Sequence, residues 1–252
     1  MMFARFHRPP RPRRLPRPPR ALMRGVMQGG ALVAAAALAA CASPSSHFYT
    51  LGGADAPAPA TARTAPAPAW LIEVAPVNVP PQVSRNQLVV QSGPTQVQLL
   101  EQERWASLPG DEIRRALSTD LTQQLGTLDA FGTARSDNTP VYRIAMNVQR
   151  FESWPGSHAL IDAVWSVRAV RGNAVMTCRS VVGETVGSGY DALVDGHRRA
   201  LAEVSTQIAS AVRAMAASGV GMAGASGAAT GKAAAVVVPP CPAAGMNTGS
   251  GA

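Results

Sequence analysis

The side chains best suited to chemistry are few, and their spacing rules out most of what they might do. His47, His158 and His197 lie far apart, without the His-x-x-x-His or Glu-flanked spacing that gathers ligands round a zinc ion. They read as surface or internally hydrogen-bonded histidines, and no metal is expected. The glycines from Gly183 to Gly189 suggest a phosphate-cradling loop, but no Gly-Lys-Ser/Thr follows, so the segment reads as a turn into a helix. No Gly-x-Ser-x-Gly elbow occurs. Cys178 falls inside an alternating apolar pattern, where a buried structural thiol is expected rather than a nucleophile. No catalytic residue is assigned, and the chain is not expected to be an enzyme.

The remaining reactive position is Cys41. An apolar run of ten residues, Ala31 to Ala40, follows a segment carrying several arginines. It is too short to span a bilayer, which takes about 20 residues, and suits the central region of an export signal. The run ends Leu38-Ala39-Ala40-Cys41, which resembles the bacterial lipobox. That resemblance implies a diacylglyceryl group on the Cys41 thiol and an acyl chain, typically palmitate, on its freed amine. No other cofactor is implied. Three chains, at roughly 0.8 kcal/mol per buried CH₂, would hold the protein on a membrane without a spanning helix. The alternative is an ordinary secretory signal cut near Ala40. Ala42, where an Asp would signal retention in the inner membrane of enteric bacteria, points to the outer membrane. The Arg/Pro-rich stretch before Leu22 is unusual for a signal, and Met23 is the expected start of translation. Arg13-Arg14 fits a twin-arginine signal poorly because Leu15-Pro16 follows.

Charge separates leader from domain. The formal charge of +8 invites a nucleic-acid reading, but eight arginines precede residue 25 and no acid occurs before Asp55, so the other 15 bases face 15 acids. The chain beyond the leader is neutral and lacks a phosphate-binding footprint, which removes the support for nucleic acid as a partner. Composition then divides the chain into a signal peptide over 1–40, a lipidated N-terminus and first strand over 41–51, an Ala/Pro-rich loop or linker over 52–69, an α+β domain over 70–216 and a Gly/Ala-rich tail over 217–252. Such a tail buries too little surface to offset chain entropy and is expected to be disordered. If His47 to Leu51 forms a strand within the domain, the Ala/Pro segment is a surface loop rather than a tether; the loop is the favoured reading. Cys178 and Cys241 are the two thiols left in an oxidising compartment, and whether they pair stays open.

The elements that must carry these residues follow from apolar periodicity. Trp70 to Val77 reads as a strand stopped by Pro80-Pro81, and Leu88–Gln91 and Gln96–Leu100 flank a Ser92-Gly93-Pro94 turn as a hairpin. Ile113, Leu117, Leu121, Leu125 and Leu128 share one face of a helix expected from Pro109 to about Leu128. Val141–Phe151, Ala159–Val170 and Val175–Val186 alternate as a three-stranded meander. Asp191 to Met215 aligns Leu193, Leu201, Val204, Ile208, Val212 and Met215 as a core stripe, with a homo-oligomer contact as its second reading. The expected class is α+β: an antiparallel sheet with two amphipathic helices packed on one face.

Taken together, several stretches resemble the auxiliary lipoproteins of ABC-type transport systems, the PqiC-like family. They are Cys41 closely followed by Phe48-Tyr49-Thr50-Leu51, the strand from Ile72 into Pro80, Ser84 to Val89, and Arg104-Trp105-Ala106 followed by Leu108 and a helix. The resemblance covers roughly residues 38–215. The long Ala/Pro insert, Gln82-Val83 and the tail depart from it. It implies a non-catalytic component of an intermembrane lipid transport system, facing the periplasm, whose partners are an MCE-domain protein and an ABC permease and ATPase. A structural or assembly lipoprotein of the envelope is the alternative, and a lipid-anchored periplasmic hydrolase a weaker one. Trp105, between hairpin and helix, is the residue placed to receive a partner or lipid, unless it simply packs the helix onto the sheet.

Overall fold

The computed structural model describes residues 45–52, 68–134, 138–219 and 239–242. Cys41, nearly all of the Ala/Pro segment and most of the tail lie outside them. Among the described residues, seven strands and two helices follow one another in the order β1 (His47–Tyr49), β2 (Leu71–Val74), β3 (Gln87–Gly93), β4 (Gln96–Trp105), α1 (Pro109–Leu125), β5 (Val141–Trp154), β6 (His158–Ala169), β7 (Val175–Thr185) and α2 (Tyr190–Ala217).

The α+β class holds, with one refinement. The strands form two sheets rather than one, in the orders β1-β4-β3 and β2-β5-β6-β7. The hairpins are antiparallel, while β1 runs parallel to β4 and β2 parallel to β5. Parallel neighbours need a long crossover. Here the intervening elements supply it, because β1 and β2 precede their partners by more than one whole strand in the chain.

The meander contributes much of a single hydrophobic core that both sheets and both helices share. On β5, Tyr142, Ile144, Met146 and Val148 are buried in alternation with exposed Arg143, Ala145, Asn147 and Gln149. The register then slips between Val148 and Arg150, and this bulge returns Phe151 and Ser153 to the core side. Facing them, α2 buries its whole stripe from Leu193 to Met215, the core reading of that face. Gly196 allows the close approach, since a Cβ there would collide with the Val186 side chain. Buried polar groups bind the layers: Trp165 Nε1 donates to Ser180 Oγ at 2.8 Å, and Ser180 Oγ to Gln207 Oε1 at 2.6 Å.

Helix α1 opens with Pro109, whose absent N–H is no loss in the first turn. It buries Ile113, Ala116, Leu117 and Leu121. It stops at Leu125, short of the expected Leu128, because Gly126 takes a left-handed φ of 61° and its N–H caps the Thr122 carbonyl. Leu128 therefore leaves the stripe and is 62% exposed. Cys178 and Cys241, left open by the sequence, form a disulfide with Cα atoms 5.8 Å apart. It fastens the tail to β7, an edge strand of the four-stranded sheet.

Candidate functional site

The site best defined by the structure is the junction where the chain leaving Cys41 enters the domain. Cys41 itself lies outside the described residues. Six residues later β1 begins, seated parallel on β4 with His47 opposite Glu103, Phe48 opposite Arg104 and Tyr49 opposite Trp105. Three residues make a short strand, and side chains supplement its ladder. His47 Nδ1 lies 2.9 Å from Glu103 Oε1, and Tyr49 donates its hydroxyl proton to Glu103 Oε2 at 2.5 Å. Burial opposes ionisation of Glu103, but the Tyr49 and His47 hydrogen bonds outweigh it and hold the carboxyl below its usual range. The same contact raises the His47 imidazole, while burial followed by Glu103 raises the Tyr49 hydroxyl.

Just beyond β1 the chain meets a stronger clasp, Glu112 in the first turn of α1. Only 1% of this residue is exposed. Its Oε2 accepts Thr50 Oγ1 at 2.7 Å and the Leu51 N–H at 3.0 Å. Its Oε1 accepts the Ser107 N–H at 3.1 Å, Ser107 Oγ at 2.5 Å and Arg115 Nη2 at 2.7 Å. Burial would push this carboxyl up, yet the donors from Ser107, Thr50 and Leu51, with the Arg115 charge, bring it below its usual range. One ionised side chain thus joins the end of β1, the turn before α1 and the helix itself. The sequence reading missed Glu112. Its signal was an acid in the first turn of an amphipathic helix, where the dipole favours it, with Ser107 just upstream.

Trp105 ends β4 directly behind this junction. It is 3% exposed and meets Phe151 edge-on at 6.0 Å and His197 at 6.4 Å. In the folded domain it joins the two sheets, and its ring has to be uncovered before a partner or lipid can touch it. His197 stacks on Phe151 with centroids 4.0 Å apart, and its Nε2 lies 2.8 Å from Ser153 Oγ. Among the described residues no third polar side chain is bonded to this serine–histidine pair. Both side chains are buried and Nδ1 has no hydrogen-bond partner. Burial lowers the His197 imidazole to about 3. The other two histidines among the described residues stay apart from it: His47 is on β1, and His158 stacks on Trp154 at 5.6 Å. Among the described residues no cluster of three His, Cys, Asp or Glu side chains could hold a metal ion. Nor is any described helix long and apolar enough to cross a membrane.

An open cleft of about 440 Å³ lies between the helices, with Leu51, Ala116 and Leu201 beside Asp120, Asp195, Arg198 and Arg199. At its base Asp120 accepts a hydrogen bond from buried Ser205 at 3.1 Å, and burial raises its carboxyl. The Gly183–Gly189 segment ends β7 and turns into α2, with Gly189 at a φ of 91° in the capping position.

Comparison with known proteins agrees with this architecture. A crystal structure of an uncharacterized protein superposes with a TM-score of 0.53 at 18% identity, covering 67% of this chain and 99% of its own. That likeness shows the fold alone. Protein XCC0632 from Xanthomonas campestris matches at 22% identity with a TM-score of 0.45, over 55% of this chain and 81% of its own. No curated protein matches the chain. The family model of the ABC-type transport auxiliary lipoprotein component matches residues 49–209, from the end of β1 to deep within α2. The chain belongs to the family of ABC-type transport auxiliary lipoprotein components.

Proposed function

We propose that this auxiliary lipoprotein is a non-catalytic docking component of an ABC/MCE-type intermembrane lipid transport system, held at the outer membrane by acyl chains on Cys41 and facing the periplasm. The observation that carries the reading is the junction just described. The chain is clamped into the fold by Glu103 and Glu112 within eleven residues of Cys41. A lipid on Cys41 would therefore hold the domain near the membrane surface, instead of trailing it on a long tether. β1 and β2 both pair within the domain, so the chain enters it at β1 and not first at β2. Family membership supports the transport role, and Ala42 the outer membrane. The mechanism is tethering: the chain holds its MCE-domain partner, with the permease and ATPase behind it, at the receiving membrane.

The test is copurification. The protein is tagged within the Ala/Pro segment, expressed in its own host and extracted in mild detergent. An MCE-domain protein in near-stoichiometric yield is the expected result. Barrel-assembly or cell-wall proteins in its place would overturn the transport reading and favour a structural lipoprotein.

A further inference from the structure

One side chain in the anchor junction points away from every contact that holds it. Phe48 is 67% exposed, more than any other large apolar side chain among the described residues. An exposed Phe usually means little, but two features set this one apart. It cannot retract, because its neighbours His47 and Tyr49 are bound to Glu103, and Thr50 and Leu51 to Glu112. And it stands seven residues from Cys41, so at roughly 3.5 Å per residue the two are at most about 25 Å apart along the chain. Its cross-strand neighbour is Arg104, whose side chain is 36% exposed; its Nε donates to the Glu101 carbonyl at 2.8 Å, and its Nη2 lies 3.6 Å from the exposed Glu101 carboxylate. An apolar ring beside a cation on a long apolar stem is the chemistry of a membrane interface: the ring enters the acyl boundary and the guanidinium stays at the phosphates.

We infer that Phe48 and Arg104 form a second membrane contact, with the ring of Phe48 inserted into the lipid surface that carries the anchor. The inference rests on acylation of Cys41. Its consequence is orientation. A single point of attachment leaves the domain free to tumble, whereas an anchor and a fixed wedge define which face meets the bilayer and which is offered to a partner.

The experiment uses the full, host-processed protein reconstituted into vesicles of phosphatidylethanolamine and phosphatidylglycerol, part of the lipid carrying brominated acyl chains. Phe48→Trp is compared with Leu128→Trp and with the unsubstituted protein, whose four native tryptophans set the baseline. Leu128 is nearly as exposed, at 62%, but lies beyond the far end of α1, a helix of 17 residues and so about 25 Å long. The expected result is that bromine removes about half of the emission added at position 48, as for a ring some 5–10 Å deep, and little of that added at 128. Vesicles that float with the protein while position 48 is quenched no more than position 128 would overturn the wedge and leave the anchor standing. Protein that fails to float would overturn the acylation reading and the wedge with it.

Discussion

The two ends of the domain are both tied down, by opposite means. At the N-terminal end a three-residue strand is held through noncovalent bonds to two carboxylates, Glu103 and Glu112. At the C-terminal end a single covalent bond, Cys178–Cys241, fastens a short described piece of a Gly/Ala-rich tail to an edge strand. The disulfide fixes one point. The carboxylates fix successive residues from His47 to Leu51 together with the start of α1, and so set the direction in which the chain enters the domain. A segment that would connect a lipid on Cys41 to the domain needs direction, whereas a tail that only has to stay close needs a point.

The comparison can be broken most completely at Cys41. Cys41→Ala should leave the domain folded and abolish membrane attachment; recovery in the membrane fraction after a high-salt wash would show that something other than acyl chains holds it. The next largest effect is expected at Glu112. Glu112→Ala leaves the Leu51 and Ser107 amides without their buried acceptor, and should cost about 4 kcal/mol in urea unfolding, at roughly 1–3 kcal/mol for each stranded group. Amide exchange should accelerate in β1 and barely change in β7, and a uniform acceleration would contradict the local clasp.

Cys178→Ser opens the other tie. The bridge spans 63 residues, and its loss should lower stability by about 2–3 kcal/mol, below the chain-entropy ceiling for a loop of that length. Exchange in β1 should stay unchanged, the reverse of the Glu112 result.

The smallest effect, taken over the single unit from pH 6 to 5, is a pH dependence that sharpens the contrast between a satisfied and an unsatisfied buried group. His197 has a folded value of about 3 against 6.5 unfolded, so it is neutral in the fold and takes up a proton on unfolding. Stability should therefore fall as pH drops below about 6.5, by at most about 1.4 kcal/mol per pH unit. Glu112 is lowered instead, so its contribution is intact above its unfolded value of 4.5 and lost only below it. His197→Gln should flatten the limb between pH 6 and 5 and leave the acid limb in place. An unchanged profile would mean that His197 is not the titrating group.

How much of this could be read beforehand depends on how far apart the interacting residues lie. Both helices, the β3–β4 hairpin and the β5–β6–β7 meander were legible because their signals repeat within a few residues, as in the Tyr142 to Val148 alternation and the Leu193 to Met215 stripe. The division into two sheets was not, since parallel pairings such as His47 with Glu103 join residues more than 50 positions apart and leave no local pattern. The same holds for the site. The resemblance of Leu38-Ala39-Ala40-Cys41 to a lipobox lies in four successive residues, whereas Glu112 looks like an ordinary first-turn acid until Thr50, 62 residues earlier, is brought against it. Trp105 drew notice for its position between hairpin and helix. Its covered ring became apparent only once the bulge in β5 had returned Phe151 to the core.

A lipid anchor on Cys41 that feeds straight into the clamped β1 is the central requirement for the proposed role. The direct measurement is the mass of the N-terminal peptide from protein extracted from its host's envelope. A peptide that begins at Cys41 and carries a diacylglyceryl group and an amide-linked acyl chain is the expected result. An unmodified peptide beginning at or after Cys41 would contradict the account.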